Sequence, residues 1–331
     1  IRRRCSKSKR AGRRKFKGIK KYNWIYLKKL EIYLPIAEIS QNIFFLLSIG
    51  FVAGVLSGMF GVGGGFLTTP ILILSGVPPA VAVGSEANHI VGSSLTGFLN
   101  YFRRKNVDII MGAILLLGGV IGSASGVFLF RLLSIQGRVE EVISFTYILF
   151  LGSVGIYMLY ESLKTRKKKK SGSLIKLHEH SWIHGLPFRI KFRRSKLYIS
   201  IIPPLLISYI IGVLAAIMGV GGGFILVPAM IYLLGMSTQV VIGTSLMQIL
   251  FVSITSTIMH AYINQTVDVI LSGLLLLGGV LGVQMGAFVV QRVSGEVLRM
   301  LLGIIIVCLC LFLISELVID PKYIFILDLL Q

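Results

Sequence analysis

The sequence lacks the charge that a soluble protein carries. Charged residues make up 14% of its 331 residues, whereas soluble domains average about 25%. Acidic residues are the scarcest of these, with 13 Asp and Glu in all. Hydrophobic residues make up 55% of the chain. This composition excludes an ordinary soluble domain and indicates a protein whose surface largely faces lipid.

Patterns for metal binding and catalysis are missing as well. The three cysteines form no Cys-x-x-Cys pair, so neither a disulfide framework nor a thiolate metal site is indicated. Three histidines lie close together with only Glu179 nearby, and we expect no metal site there; they are His178, His180 and His184. Neither a nucleophile–base pair nor a phosphate-binding motif occurs. We therefore expect no enzyme activity, no metal and no other cofactor.

Positive charge is abundant but confined to two segments. The net charge is +21 at pH 7, which taken alone would suggest a nucleic-acid binder. Of the 34 Lys and Arg residues, 14 lie in residues 1–31 and 12 in residues 164–197. Basic segments that flank apolar ones are typical of membrane proteins with several spans. We expect these segments to contact anionic lipid headgroups and not nucleic acid.

Apolar segments fill the rest of the chain. Since about 20 helical residues cross a bilayer, they predict an all-α polytopic membrane protein with about eight transmembrane helices. The segments are residues 43–75, 78–102, 108–131, 141–163, 198–235, 237–262, 268–292 and 296–319. We predict a basic leader (1–42), a first four-helix repeat (43–163), a basic linker (164–197), a second four-helix repeat (198–319) and a tail (320–331). No signal peptide is predicted before residue 43.

The two halves are a duplication. Residues 54–70 read GVLSGMFGVGGGFLTTP and residues 212–228 read GVLAAIMGVGGGFILVP, with 10 of 17 positions identical. Residues 107–126 and 267–286 match at 11 of 20 positions. Two matching stretches in the same order indicate a repeat of about 160 residues.

Charge predicts how the halves are oriented. If the first segment of each half crosses once, the leader, the linker and Arg103–Lys105 fall on one side, as the positive-inside rule favours. We therefore expect eight crossings in the plasma membrane, with parallel halves and both termini in the cytoplasm. A helical hairpin at each glycine stretch, which would leave three crossings per half, is the alternative.

The repeated glycines predict a break in the first helix of each half. Each glycine lowers helix stability by about 1 kcal/mol, and a break inside a membrane must be buried in protein or line a wet cavity. The half-helix that follows, from Phe66 or Phe224, presents unpaired N–H groups that suit an anion. Paired breaks point to a transporter's binding site, with close helix packing as the alternative. The glycines are Gly61, Gly63, Gly64, Gly65, Gly219, Gly221, Gly222 and Gly223, and Pro70 and Pro228 are predicted kinks.

The second segment of each half carries polar residues. Such groups are costly in lipid and normally face the interior of the protein. Several are predicted to hydrogen-bond a bound anion, with bonds to their own helix as the alternative; they are Ser85, Ser93, Thr244, Ser245 and Gln248. Glu86 and His89 lie three residues apart on one helix face. We predict them as candidates for proton coupling, with a structural role as the alternative.

Two further patterns predict structural roles. Glycines spaced by four lie on one helix face and predict close packing of helices; they are Gly118, Gly122, Gly126, Gly278, Gly282 and Gly286. Asp108 and Asp268 each follow a short loop and open a helix. An acidic residue in this place predicts an N-terminal cap.

The paired GVGGGF…P stretches, GTSL at 243–246, NYFRRKNVD at 100–108 and the duplicated LLLGGV segments resemble those of the sulfite exporter TauE/SafE family. The resemblance covers about residues 43–163 and 198–319. It implies transport, often export, of small sulfur-containing anions or related organic acids such as sulfite or sulfonates. It also implies seven or eight helices and no metal or nucleotide cofactor. The family's motif positions include Gly243, Thr244 and Ser245, where the first half reads Gly84, Ser85 and Glu86.

The residues and the resemblance together predict a secondary transporter. It would export a small anion that binds near the membrane midplane, at the broken helices between the two halves. A channel, or a carrier of cations or other metabolites, is the first alternative. The second is a membrane protein without transport activity, such as a sensor or an assembly factor that binds a partner through its basic linker.

Overall fold

The computed structural model describes residues 30–170, 187, 189–192, 194–195 and 197–319, and it confirms the predicted all-α polytopic membrane fold. The first half contains β1 (Glu31–Leu34), β2 (Ile39–Asn42), α1 (Ile43–Phe60), α2 (Gly65–Leu74), α3 (Pro79–Arg103), α4 (Ile109–Ile135) and α5 (Val139–Lys170). The same order returns as β3 (Arg189–Phe192), β4 (Leu197–Ser200), α6 (Ile202–Met218), α7 (Gly223–Tyr232), α8 (Thr238–Met259), α9 (Val269–Val289) and α10 (Gly295–Ile319). A π-helical turn (His260–Asn264) extends α8, and a 3-10 turn (Val290–Arg292) follows α9.

Five helical stretches within the described residues are long and apolar enough to cross a membrane. They are Ile43–Phe60, Ile109–Ile135, Glu141–Ser162, Thr238–Asn264 and Val269–Val289. α3 is more polar but has 25 residues. A helix of that length measures about 37 Å, which exceeds the hydrocarbon core of about 30 Å. α3 is therefore long enough to cross as well.

The first helix of each half is broken where the glycines predict. α1 ends at Phe60, and the short helices α2 and α7 have 10 residues each. Three glycines in each break have φ between 70° and 87°, in the left-handed region that favours glycine; they are Gly61, Gly63, Gly64, Gly219, Gly221 and Gly222. Pro70 and Pro228 lie inside α2 and α7, where each removes one backbone donor.

α1 and α2 form a hairpin instead of one crossing. Nε2 of Gln41, just before α1, donates to the carbonyl oxygen of Ser75, just after α2, at 2.8 Å. Leu46 and Ile49, near the start of α1, share a hydrophobic cluster with Leu72, near the end of α2. The chain therefore enters and leaves this hairpin at the same end of the molecule.

The turn of each hairpin folds back along its first helix. Gly64 packs against Ala53, about two turns before the end of α1. Gly222 packs against Ile211 of α6 in the same way. Each half therefore has three helices that run the length of the bundle, α3 to α5 and α8 to α10, together with one hairpin.

The two halves run in opposite directions. Gly84, near the start of α3, packs against Thr266, which lies beyond the end of α8. Tyr101, near the end of α3, packs against Gly243, near the start of α8. α3 and α8 are therefore antiparallel. The matching antiparallel contacts between α5 and α10 are Gly152 with Cys310 and Leu159 with Gly303.

The expectation of eight crossings with parallel halves is therefore wrong, and the hairpin alternative is the observed one. The positive-inside rule counts charges close to the spans. In the leader, 12 of the 14 basic residues lie in residues 2–21, at least 22 residues before α1. These distant charges therefore do not require the leader and the linker to lie on the same side of the membrane. In the observed topology α1 begins and α10 ends at one end of the bundle, and α5 ends at the other.

Glycines spaced by four pack α1 against α9 and α4 against α6, as predicted. A Cβ added at Gly282 would overlap the carbonyl oxygen of Phe51 in α1. One added at Gly122 would overlap the carbonyl oxygen of Tyr209 in α6. Backbones approach this closely only where no side chain lies between them. Since each pair joins one half to the other, these glycines hold the halves together.

Asp108 and Asp268 cap α4 and α9, as predicted. Each carboxylate also accepts hydrogen bonds from the turn of the strand hairpin in the other half. Oδ2 of Asp108 accepts from the N–H and Oγ of Ser195, in the β3–β4 turn, at 3.0 and 2.7 Å. Oδ2 of Asp268 accepts from the N–H of Ile36, in the β1–β2 turn, at 3.0 Å. Each turn of one half is thus fastened to a helix of the other half.

Cysteine labelling tests the hairpin topology. Glu31 in β1 and Lys191 in β3 are exposed and lie at opposite ends of the bundle. In a background with the three native cysteines replaced by serine, Glu31→Cys and Lys191→Cys are expected to react with an impermeant maleimide from opposite sides of oriented vesicles. Detergent-opened vesicles, in which both must react, are the control. Reaction of both from one side would restore the parallel arrangement.

Candidate functional site

The two hairpins meet tip to tip in the middle of the protein. We call residues 61–65 tip 1 and residues 219–223 tip 2. A Cβ added at Gly65 would lie 2.9 Å from the carbonyl oxygen of Gly219. One added at Gly223 would overlap the carbonyl oxygen of Val62. The tips therefore touch through their backbones, and this contact requires residues without side chains.

α3 and α8 enclose the tips from two sides. Ile90 of α3 and Ile249 of α8 hold related positions in the two halves, and both lie against Gly63 and Gly221. Every residue of both tips is buried. Phe66 and Phe224, which follow the tips, are buried too. In this conformation the tips are closed off from both ends of the bundle.

The tips carry unpaired backbone donors. Among the described residues, the N–H groups of residues 62–66 and 220–224 donate no hydrogen bond. A buried donor without a partner costs about 1–3 kcal/mol, and native proteins rarely leave one unpaired. These donors lie at the N-termini of α2 and α7, where the helix dipole is positive. The contact between the tips therefore concentrates positive polarity at one place.

Two predicted site residues hold other parts of the backbone. The hydroxyl of Ser85 accepts from the N–H of Asp268 at 2.8 Å. The hydroxyl of Thr244 accepts from the N–H of Asp108 at 3.1 Å. These bonds link α3 to the start of α9 and α8 to the start of α4. Both hydroxyls thus have a structural role near the ends of the bundle.

The other predicted polar residues lie nearer the tips. Ser245 donates to the carbonyl oxygen of Gly61 at 2.9 Å, and Ser93 donates to that of Gly63 at 3.4 Å. Gln248 donates through Nε2 to Ser208 at 3.4 Å, and its Oε1 has no partner among the described residues. Both hydroxyls also donate to a carbonyl oxygen of their own helix, Ser93 to Ile90 at 3.1 Å and Ser245 to Ile242 at 3.0 Å. These bonds to carbonyl oxygens leave the N–H groups of tip 1 unpaired.

Glu86 and His89 form a buried pair in α3. Nδ1 of His89 lies 2.7 Å from Oε1 of Glu86, and both side chains are 0% exposed. Oε2 of Glu86 and Nε2 of His89 have no hydrogen-bond partner in the described part of the chain. The shared helix face that their spacing predicts is observed. A carboxyl group and an imidazole at this distance can share one proton.

Two residues near this pair, Thr68 and Tyr147, were not predicted from the sequence. Thr68 of α2 lies beside Glu86 and donates to the carbonyl oxygen of Gly64 at 3.2 Å. Tyr147 of α5 is buried near Glu86, and its hydroxyl donates to the carbonyl oxygen of Met218 at 2.8 Å. Thr68 follows the glycine stretch closely, so its position was a usable signal. Tyr147 stands in an apolar segment that gives no such signal.

A cavity of about 110 Å³ opens at the end of the bundle where α3 ends and α8 begins. Tyr101 and Arg104 line it on one side and Ile242 on another. Ile242 also packs against Gly61 of tip 1. Ile242 therefore separates the cavity from tip 1. Arg104 gives the cavity wall a positive charge.

Comparison with known proteins assigns the chain to a family. The sulfite exporter TauE/SafE family matches residues 46–313, which is most of the sequence. The chain belongs to this family. The family match and the helices long enough to cross a bilayer identify a multi-pass membrane protein.

Curated relatives agree with this TauE/SafE assignment. The probable membrane transporter protein YunE of Bacillus subtilis (strain 168) is 26% identical over 284 residues, covering 82% of this chain and 97% of the relative. YjnA of the same organism, also called a probable membrane transporter protein, is 26% identical over 262 residues, covering 79% and 95%. A probable membrane transporter protein of Xylella fastidiosa (strain 9a5c) is 24% identical over 284 residues, covering 83% and 95%. No solved structure matches the chain. The chain is therefore a membrane transporter.

Proposed function

We propose that this transporter exports small sulfur-containing or organic anions, such as sulfite or sulfonates. The family's name supports a sulfur-containing substrate. The anion would bind where tip 1 and tip 2 meet, between α3 and α8. Its oxygens would accept hydrogen bonds from the backbone N–H groups of the tips, without a lysine or arginine.

The observation that carries this proposal is the set of unpaired N–H groups at the two tips. An oxyanion accepts several hydrogen bonds at once, and helix N-termini supply them together with a favourable dipole. A cation would face the positive ends of two helices, and the same dipoles would repel it. An uncharged solute would gain the hydrogen bonds but not the attraction. The site therefore favours a small anion with several oxygens.

A route to the site is supported by the cavity beside tip 1. Arg104 in its wall would draw anions towards the bundle. A tilt of the first hairpin against α3 and α8 would move Gly61 away from Ile242 and open tip 1 to this cavity. A matching tilt of the second hairpin would open tip 2 at the opposite end. Alternating access of this kind is usual for transporters with inverted repeats and broken helices.

Anion binding is tested by thermal unfolding of the purified protein in detergent. Sulfite, thiosulfate or methanesulfonate is expected to raise the melting temperature, because a ligand at 100 times its Kd stabilises the folded state by about 2.7 kcal/mol. Dimethyl sulfone, which resembles methanesulfonate but is uncharged, is the matched control and should raise the melting temperature less, because it lacks the attraction to the helix dipoles. Sodium chloride at equal ionic strength controls for salt.

Flux in proteoliposomes completes this test. Any anion that stabilises the protein should exchange across vesicles that contain it, at a rate that saturates with concentration. The proposal fails if no sulfur-containing or carboxylate anion stabilises the protein beyond sodium chloride and none exchanges. A rate far above carrier turnover would indicate a channel instead.

We also propose that the protein lies in the plasma membrane with the linker facing the cytoplasm. The prediction of cytoplasmic termini rested on eight crossings, and the hairpin topology separates the leader from the linker. Arg103, Arg104 and Lys105 follow α3 at one end of the bundle, and the linker with its 12 basic residues leaves from the same end. At the other end, Lys28 and Lys29 precede β1 and α1 in the sequence, Arg131 lies near the end of α4 and Arg138 follows it. Charges near the spans favour the first end as the cytoplasmic one. The cavity with Arg104 would then collect anions from the cytoplasm, as export requires.

The remaining partner predictions concern the basic segments. Residues 1–29 lie outside the described residues, as does most of the linker. We propose that both contact anionic headgroups, on opposite faces of the membrane. That the chain binds no nucleic acid, no metal and no other cofactor stays a prediction.

A further inference from the structure

We propose that Glu86 and His89 bind a proton that travels with the anion in each transport cycle, and that this proton site exists in one half of the protein only. The inference rests on the proposed anion transport and adds its coupling ion.

The pair is arranged to hold one proton. Oε1 of Glu86 and Nδ1 of His89 are 2.7 Å apart and both side chains are fully buried. With one shared proton the pair is neutral overall. Without it, the carboxylate carries a full negative charge in a medium of low dielectric constant, which is costly. Oε2 accepts no hydrogen bond within the described part of the chain, and there the Thr68 hydroxyl is the only polar neighbour besides His89 that stabilises the charged carboxylate.

The His89 ring is held towards Glu86 by its packing. Its Nε2 edge lies against the backbone of Gly279 in α9, where a Cβ would overlap the ring. Nε2 has no hydrogen-bond partner in the described part of the chain. The ring nitrogen that can exchange a proton is therefore Nδ1, which already contacts Glu86.

One residue lies between the pair and each tip. Thr68, beside Glu86, donates to Gly64 of tip 1. Tyr147, a buried ionisable group of α5 close enough to Glu86 for their charges to interact, donates to Met218, the residue before tip 2. The pair is contacted from α2 by the hydroxyl group of Thr68 and from α9 by the backbone of Gly279, neither of which is ionisable. An anion held by the tips would therefore interact electrostatically with the charge of this pair across Thr68 and Tyr147.

Repulsion between like charges couples the two ligands. An anion at the tips makes a second negative charge on Glu86 more costly, so the anion binds best when the pair holds its proton. By linkage, the proton binds best when the anion is present, by the same factor. A monovalent anion and a proton then move together, and the cycle carries no net charge. Net flux follows the combined gradients of the anion and of pH, so export proceeds only while the outward anion gradient exceeds the opposing pH gradient of a more alkaline cytoplasm.

The second half of the protein lacks this pair. Ser245 and Gln248 of α8 hold the positions that correspond to Glu86 and His89, and neither residue ionises in this pH range. Gln248 lies against Gly119 of α4 as His89 lies against Gly279 of α9. The architecture is thus two-fold while the chemistry is not, which predicts one proton per cycle.

Two flux measurements in proteoliposomes test the inference. The probe is methanesulfonate, which stays monovalent over the working pH range. The first assay follows exchange of labelled for unlabelled anion at equal pH on both sides. The second follows accumulation driven by an alkaline interior. The wild type is expected to exchange and to accumulate the anion about tenfold per unit of pH difference, as one proton per anion requires.

Glu86→Gln, which keeps the size of the side chain but cannot release a proton, is expected to exchange the anion and to lose all accumulation. The double variant Glu86→Ser with His89→Gln copies the corresponding residues of α8. It should likewise exchange the anion without accumulating it. Ser153→Ala in α5, whose exposed hydroxyl bonds only its own helix, is the control and should accumulate normally.

Each other outcome has a definite meaning. Accumulation by Glu86→Gln, or its absence in a wild type that exchanges the anion, overturns the proton site and leaves anion transport intact. Absence of exchange in the wild type counts against the proposed function instead. If Glu86→Gln folds, by gel filtration and melting, yet loses exchange, the carboxyl group serves anion binding and its assignment to the proton is wrong.

Discussion

Gly223→Ala is expected to abolish anion exchange and to lower the melting temperature. The added Cβ would overlap the carbonyl oxygen of Val62, a backbone atom that cannot move without displacing tip 1. Overpacking of this kind costs about 1–3 kcal/mol. Displaced tips would no longer present their N–H groups to one anion, and a loss of about 1.4 kcal/mol in binding already means tenfold lower affinity. Methanesulfonate exchange in proteoliposomes and melting in detergent measure the two effects.

Two matched variants make this prediction specific to the contact between the tips. Gly65→Ala places its Cβ 2.9 Å from the carbonyl oxygen of Gly219, a less severe contact, and should give a smaller loss in the same direction. Gly273→Ala adds the same methyl group in α9, where no atom lies within 4 Å, and should exchange normally. Full exchange by Gly223→Ala would contradict a binding site between the tips.

Gly282→Ala is expected to cause a large loss of stability by forcing α1 and α9 apart. Its Cβ would overlap the carbonyl oxygen of Phe51 and would lie 2.8 Å from the nitrogen of Val55. Both are helix backbone atoms, so relief requires one whole helix to shift. We expect a destabilisation of at least about 1–3 kcal/mol, seen as a lower melting temperature and as aggregation in gel filtration. Transport should fall with the fraction of folded protein.

The control for this variant lies on the same helix. Gly273→Ala meets no neighbour, and alanine favours a helix over glycine by about 1 kcal/mol. It should therefore melt at the wild-type temperature or above it. Equal melting of Gly282→Ala and Gly273→Ala would show that the close approach of α1 and α9 does not stabilise the protein.

Several parts of this fold could be predicted because their causes are local. The apolar segments predict the helices, and the glycines at 61–65 predict the break, since the left-handed turns there favour residues without Cβ. Asp108 and Asp268 cap helices through their own neighbouring N–H groups. The glycines spaced by four predict a packing face, although the sequence does not say which helix packs on it.

The direction of the two halves could not be predicted in this way. The contact that reveals the first hairpin joins Gln41 to Ser75, 34 residues apart. A charge count can favour one topology over another only when the charges near the spans differ in number between the two sides. Here basic segments flank both ends, and most of the leader's charges lie too far from α1 to weigh in that count.

The candidate site was predicted in part. Ser245 contacts Gly61 of tip 1, and Glu86 and His89 pair on one helix face; their roles in binding and coupling stay predictions. Ser85 and Glu86 are adjacent in sequence, yet Ser85 binds Asp268 while Glu86 lies beside Thr68. Neighbouring residues on a helix point about 100° apart, so which one faces the tips depends on how the helices pack. Tyr147 carried no sequence signal at all.

By itself the sequence determined that this is a duplicated helical membrane protein with a glycine break in each half. Hydropathy, glycine conformation and helix capping depend on residues a few positions apart. Only the tertiary structure decided that the halves are inverted, that the two breaks touch, and that one half alone has a buried Glu–His pair in contact with its hairpin. Those facts depend on which helix faces meet, and the faces are brought together by contacts between residues far apart in the chain.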